Sequence, residues 1–288
     1  MKLKFRLPVL MIGLVLISNL VLGTLSFKES SSMVLDKDGK FFTRVVEDYH
    51  KITQSTVETE KQVVNGLSNR IDFIELARVA KNKDYLDLKT EDADLLFQTR
   101  NELEKIATSR ENLEQIFLIN QSGKVIIDSI GNAIEEDFSM QPYYFNVVHQ
   151  KNIMLSENVV STNTGSNVVH FAAPLVDPDT GEGIGMVINA VYTNSFFTEM
   201  RAEKLGETGY IYVLDKYGFV LSHPDKDLIG KVIDHEYILD LITNLRIDKD
   251  TDQREVLLDS YDNGAKTFAC TLIPDLNWVV IAEEETQE

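Results

Sequence analysis

The apolar positions change period once along the chain. From about Leu35 to Ala80 there is almost no glycine or proline, and Val45, Tyr49, Ile52, Val63 or Val64, Leu67, Ile71, Ile74 and Ala77 recur at helical spacing. This spacing predicts one long amphipathic helix whose stripe fits a dimer seam or packing on its own domain equally well. A second helix is predicted after Thr90, a fair N-cap, through Leu95, Leu96, Leu103 and Ile106, ending near Asn112. Strand patterns then take over. Gln115–Asn120 and Lys124–Asp128 flank a turn at Gln121, Ser122 and Gly123. A short helix is expected over Pro142–Gln150, followed by strands around Asn158–Val160, Val168–Leu175 and Gly185–Tyr192.

The pattern then repeats. Tyr210–Asp215, the turn Lys216–Gly218 and Phe219–His223 form a second hairpin. A helix over His235–Leu245 and strands at Glu255–Tyr261, Lys266–Ile273 and Trp278–Ala282 complete the second module. The simplest packing for each module is a mixed sheet with a helix across it.

Ahead of the helix, Lys2, Lys4 and Arg6 precede an uncharged run from Leu7 to Leu25, and charge returns at Lys28. About 20 apolar residues span a bilayer core as a helix, and basic flanks stay in the cytoplasm. The run exceeds the usual core of a signal peptide, which favours a membrane anchor through residues 7–25 over a cleaved leader. Either way, residues 29–288 are expected outside the cytoplasm.

Among the 288 residues, 43% are hydrophobic, ample for packed cores, and the formal charge is −18. With Lys and Arg isolated and not clustered, that charge argues against a nucleic-acid partner. Cys270 is the only cysteine, so neither an intrachain disulfide nor a thiolate metal cluster is available, and no lipidated cysteine follows the leader.

Five strings occur in order: Asp137-Phe-Ser-Met-Gln-Pro-Tyr-Tyr144, Ala173-Pro-Leu-Val-Asp-Pro-Asp-Thr-Gly181, Gly185-Met-Val-Ile188, Gly206-Glu-Thr-Gly-Tyr-Ile-Tyr-Val-Leu-Asp215, and Ser222-His-Pro-Asp225 followed by Ile229-Gly230. Over residues 35–285 this order resembles the double Cache (dCache_1) sensor region of chemoreceptors and receptor kinases. The resemblance implies an α+β chain with an N-terminal transmembrane helix, a long amphipathic helix and two PAS-like mixed-sheet modules. Its expected divisions are a cytoplasmic tip and membrane helix over 1–28, a helical stalk over 29–111, a membrane-distal ligand-binding module over 112–204 and a membrane-proximal module over 205–288. It also implies a homodimer and passage of the signal to a second membrane helix, which the chain to Glu288 does not contain. A fragment, or a protein without an output domain, accounts for that. A methyl-accepting chemotaxis output is the first expectation, with a histidine kinase or cyclic-dinucleotide enzyme as alternatives.

In amino-acid-sensing members, the string like Asp137–Tyr144 carries a cation before its proline, and later acidic positions hold the ammonium. Here Gln141 stands at the cation position, and the acidic positions fall at Ser161 and near Asn189–Val191. Losing hydrogen bonds to charged groups, at about 1.5 to 3 kcal/mol each, disfavours an α-amino acid. The expected site is therefore Gln141, Tyr143, Tyr144, Ser161, Thr162, His170 and Asn189, suited to a neutral or weakly charged small molecule. A carboxylate remains open if the start of the short helix at Pro142 offers free N–H groups. Both tyrosines could instead pack the helix on its sheet, His170 could be a structural histidine, and Asp137 is expected to tie its own loop.

Asp248, Asp250, Asp252 and Asp259 fit a calcium-loop register, but Gln253 replaces the glycine it needs, so no metal or cofactor is expected. Histidines 50, 149, 170, 223 and 235 lack metal-ligand spacing. Ser222 and His223 are strand neighbours that face opposite ways, so no enzyme is expected. A structural exoprotein without a cavity is the rival reading.

Overall fold

The computed structural model describes residues 40–83, 85–198, 205, 208–247, 256–261 and 266–285. The run Leu7–Leu25 and Asp248, Asp250 and Asp252 lie outside them, and no helix among the described residues is long and apolar enough to cross a membrane. The helical third forms four α-helices where two were expected: α1 (residues 40–68), α2 (Ile71–Val79), α3 (Tyr85–Glu91) and α4 (Ala93–Thr108). The expected single helix breaks after residue 68. Ser68 Oγ and Asn69 Nδ2 donate to the Asn65 carbonyl at 2.9 and 2.7 Å, competing for the acceptor that the next helical N–H would use. Arg70 is then extended, with φ −71° and ψ 133°. Thr90 is not an N-cap. Its hydroxyl bonds back to the carbonyls of Leu86 and Asp87 inside α3, and the break falls at Asp92. Of the helical stripe, Val45, Tyr49, Val64, Leu67, Ile74 and Ala77 are buried, whereas Ile52 and Ile71 are 43% and 65% exposed.

The first sheet contains β1 (Leu113–Asn120), β2 (Val125–Asp128), β3 (Met154–Leu155), β4 (Val159–Val160), β5 (Asn167–Val176) and β6 (Gly183–Tyr192), with α5 (Tyr144–Val148) between β2 and β3. Its order is β2-β1-β6-β5-β3, and β4 also pairs with β5. The second contains β7 (Tyr210–Leu214), β8 (Val220–Ser222), β9 (Leu257–Tyr261), β10 (Lys266–Ile273) and β11 (Trp278–Glu285), in the order β8-β7-β11-β10-β9. There α6 (Glu236–Ile247) makes the crossover. The topology is the same twice, as the repeated pattern implies.

Every strand pairing among the described residues is antiparallel, which corrects the expectation of mixed sheets. Each chain segment leaves its first hairpin at one edge, crosses the face through a helix and returns to the centre by successive reversals. The hairpins are built alike. Asn120 Oδ1 accepts from the N–H groups of Ser122 and Lys124 at 3.1 and 2.9 Å, and Asp215 Oδ1 accepts from those of Tyr217 and Phe219 at 2.8 and 2.9 Å. Gly123 and Gly218 supply the positive φ, 89° and 82°, that each turn requires.

One face of each sheet joins α1, α2 and α4 in a continuous core that runs from Phe42 through Leu118 and Phe171 to Trp278. The opposite face of the first sheet packs on α5, and that of the second packs on α6. Between the sheets, Phe171 of β5 stacks on Phe196 with 6.3 Å between ring centroids, and Phe196 meets Trp278 edge-on at 5.4 Å.

Candidate ligand-binding site

On the α5 side of the first sheet lies a cavity of about 370 Å³, within the range typical of small-molecule sites. Its floor is β1 and β5, through Glu114, Gln115, Phe117 and His170. The loop after β2 supplies Asn132, Ala133, Glu136, Phe138 and Gln141, and β4 with the turn beyond it supplies Val159–Asn163.

Asp128 fixes the loop. Its carboxylate is fully buried and accepts from the N–H groups of Ile130 at 2.8 Å, Gly131, and Ala133 at 3.0 Å, and from Gln115 Nε2 at 2.7 Å. The following stretch is laid against β2 and its turn by the N–H of Val125 to the Glu136 carbonyl and the N–H of Phe138 to the Gly123 carbonyl, at 3.0 and 2.7 Å. Asp137 ties its own loop, as expected: it accepts from the N–H of Ser139 at 2.9 Å and faces Lys124 at 3.4 Å.

Glu114 reaches the cavity because the register of β1 against β6 shifts between Leu113 and Gln115, which pair with Val191 and Ala190. Such a bulge leaves one residue unpaired and re-aims its side chain. Glu114 is only 8% exposed, and Thr164 Oγ1 donates to its Oε1 at 2.6 Å.

Four of the seven expected site residues meet at this cavity: Gln141, Ser161, Thr162 and His170. Ser161 Oγ also accepts from the N–H groups of Asn163 and Thr164 at 3.1 and 3.4 Å, so it shapes the turn as well as lining the wall. Tyr143 stands behind that wall. It is buried, and its hydroxyl lies 3.0 Å from His170 Nδ1, so one of the two donates to the other. Burial pulls the His170 imidazole down to about 4 and pushes the Tyr143 hydroxyl up, so both are neutral at pH 7.

The other two lie elsewhere. Tyr144 donates from its hydroxyl to the Gln121 carbonyl and so fastens α5 to the first hairpin, the packing role weighed for it. Asn189 sits on the opposite face of β6, in step with Val187 and Val191 of the helix-covered core, while Ile188 and Ala190 face α5. It is fully buried, and neither its Oδ1 nor its Nδ2 has a hydrogen-bond partner among the described residues. For the carboxylate left open at the start of the short helix, the Tyr144 N–H is not free, since it donates to the Gln141 carbonyl at 3.0 Å. The expectation of a neutral lining is also corrected, since Glu114 and Glu136 both line the cavity.

On the α6 side of the second sheet, Glu283, 2% exposed, accepts from the hydroxyls of Tyr210 and Tyr212 and from Lys266 Nζ, with the His223 ring edge-on to Tyr210 and tilted against Tyr212.

Two sheets of one topology lie on a shared helical layer, and the first holds a cavity of small-molecule size. The chain belongs to the Cache domain family, whose profile matches residues 41–288. No curated protein matches it. Among solved structures, the isoleucine-bound sensory domain of the Campylobacter jejuni chemoreceptor Tlp3 is 15% identical with a TM-score of 0.63, covering 89% of this chain and 96% of that one. The ligand-binding domain of the Pseudomonas aeruginosa amino-acid chemoreceptor PctC with GABA is 18% identical with a TM-score of 0.57, covering 86% and 99%. The sensor domain of the Vibrio cholerae histidine kinase DctB is 13% identical with a TM-score of 0.59, covering 84% and 95%. At these identities the likeness is one of fold.

Proposed function

We propose that this chain is the extracytoplasmic small-molecule sensor of a membrane signalling receptor, anchored through residues 7–25 and working as a homodimer, with its ligand in the first module. The observation that carries the reading is the cavity, where a loop pinned by buried Asp128 covers polar and aromatic groups drawn from several elements. Gln141, Ser161, Thr162 and His170 are proposed contacts, joined by Glu114, Gln115 and Phe117, with Tyr143 orienting His170. Binding there biases two conformations of the receptor and involves no covalent chemistry. A chemotaxis output is the proposal; a kinase output is the second reading, supported by the DctB likeness.

The test is a thermal-shift screen of the chain against amines, amino acids, organic acids, nucleobases and sugars. A ligand at about a hundred times its Kd adds roughly 2.7 kcal/mol. A hit that disappears in Gln141→Ala and His170→Ala supports the site. Silence of the folded chain across all classes favours the structural exoprotein instead.

A further inference from the structure

The cavity's polar groups are unevenly divided between donors and acceptors. Glu114, more than nine-tenths buried, spends Oε1 on Thr164 and leaves Oε2 without a hydrogen bond among the described residues. Glu136 adds a second carboxylate, and no lysine or arginine among the described residues lines the space. The amide nitrogen of Gln115 is spent on Asp128 and Asn132, at 2.7 and 2.9 Å, so its oxygen is the atom left to a ligand. An ionised carboxylate can only accept hydrogen bonds. Phe117 and Phe138, with ring centroids 5.4 Å apart, border the same space, and aromatic faces attract cations. A carboxylate drawn largely out of water with no cation beside it among the described residues is a ready acceptor for a positively charged group placed in the cavity.

We propose that the ligand of this cavity is a small organic ammonium ion bearing no carboxylate, held by Glu114 with Gln115 as a second acceptor. The proposal rests on the sensor reading above and adds the charge and functional group of the ligand. An α-amino acid would bring a carboxylate into a space that already holds two and offers no cation to pair with it. His170 does not repair this, since burial keeps its ring uncharged at neutral pH.

The test uses the full chain in detergent and calorimetric titration with matched probes: aliphatic mono- and diamines, each beside the alcohol, carboxylate and α-amino acid of the same carbon skeleton. Amines are expected to bind and their counterparts to fail. Glu114→Gln, which keeps the shape and the Thr164 bond but removes the charge, should weaken amine binding about 10- to 100-fold. If Glu114→Gln does not fold, the preference of the unaltered chain within each matched set decides alone. Binding confined to alcohols, acids or amino acids, or amine affinity unchanged in Glu114→Gln, overturns the ammonium proposal and leaves the sensor reading standing. No binding by any probe class to the folded chain overturns both.

Discussion

His170 links the cavity to the stability of the fold through a single proton. In the unfolded chain its imidazole takes up a proton near 6.5; in the folded chain burial delays this to about 4. Between those values the unfolded state binds more protons, so stability attributable to His170 is fully present above 6.5 and is lost as pH falls toward 4. At about 1.4 kcal/mol per pH unit the full drop is roughly 3 kcal/mol, reduced to the extent that cavity water reaches the ring. Chemical denaturation of the unaltered chain and of His170→Gln, at about pH 7 and about pH 4.5, isolates this contribution. Glutamine keeps a partner for the Tyr143 hydroxyl, and the other titrating groups are common to both chains. The unaltered chain should lose roughly 1 to 3 kcal/mol more than the variant over that interval. Parallel losses would mean that the imidazole is solvated like a free one. A smaller loss in the unaltered chain would mean that the folded state stabilises the imidazolium, as a close contact with the Glu114 carboxylate would do.

Three further outcomes follow from packing. Asn189→Val removes a fully buried amide with no hydrogen bonds from the middle of β6, so stability should rise by about 1 to 3 kcal/mol; an unchanged or lower melting temperature would show that the amide is satisfied. Asp128→Ala strips the acceptor from three backbone N–H groups and the Gln115 amide, and should cost about 3 kcal/mol or more along with ligand binding. A denaturation midpoint close to that of the unaltered chain would sink that account of the loop. Gly123→Ala should be more destabilising than Gly165→Ala by about 1 kcal/mol or more. Both glycines have positive φ, but only at Gly123 would an added Cβ meet backbone, 2.7 Å from the N of Ser139, while at Gly165 it meets open space. Equal melting temperatures would refute the steric difference.

The two hairpins were legible in the sequence because turn chemistry is local. Asn120 and Asp215 bond to N–H groups two and four residues on, and alternating apolar residues flank them. The helix break after residue 68 was not legible, because Ser68 and Asn69 can either continue a helix or bond back to Asn65. Strand β3 has two residues, too few to establish a period. The site divided along similar lines. His170 was found because it interrupts an apolar strand, and Gln141 because its string resembles a family motif. Glu114 was missed because a bulge depends on the pairing with β6, although Glu114 and Gln115 at the head of an apolar strand were an available signal. Asn189 was placed on the wrong face because alternation gives a strand two faces without saying which one meets the cavity.

His170 and Phe171 are consecutive residues of β5, one lining the cavity and the other stacked on Phe196, which in turn meets Trp278 at the start of β11. Counted in links, the cavity and the second sheet are joined by one peptide unit and two ring contacts. β5 is paired on both sides, so under the proposed sensor reading a displacement of His170 would be felt first at Phe171.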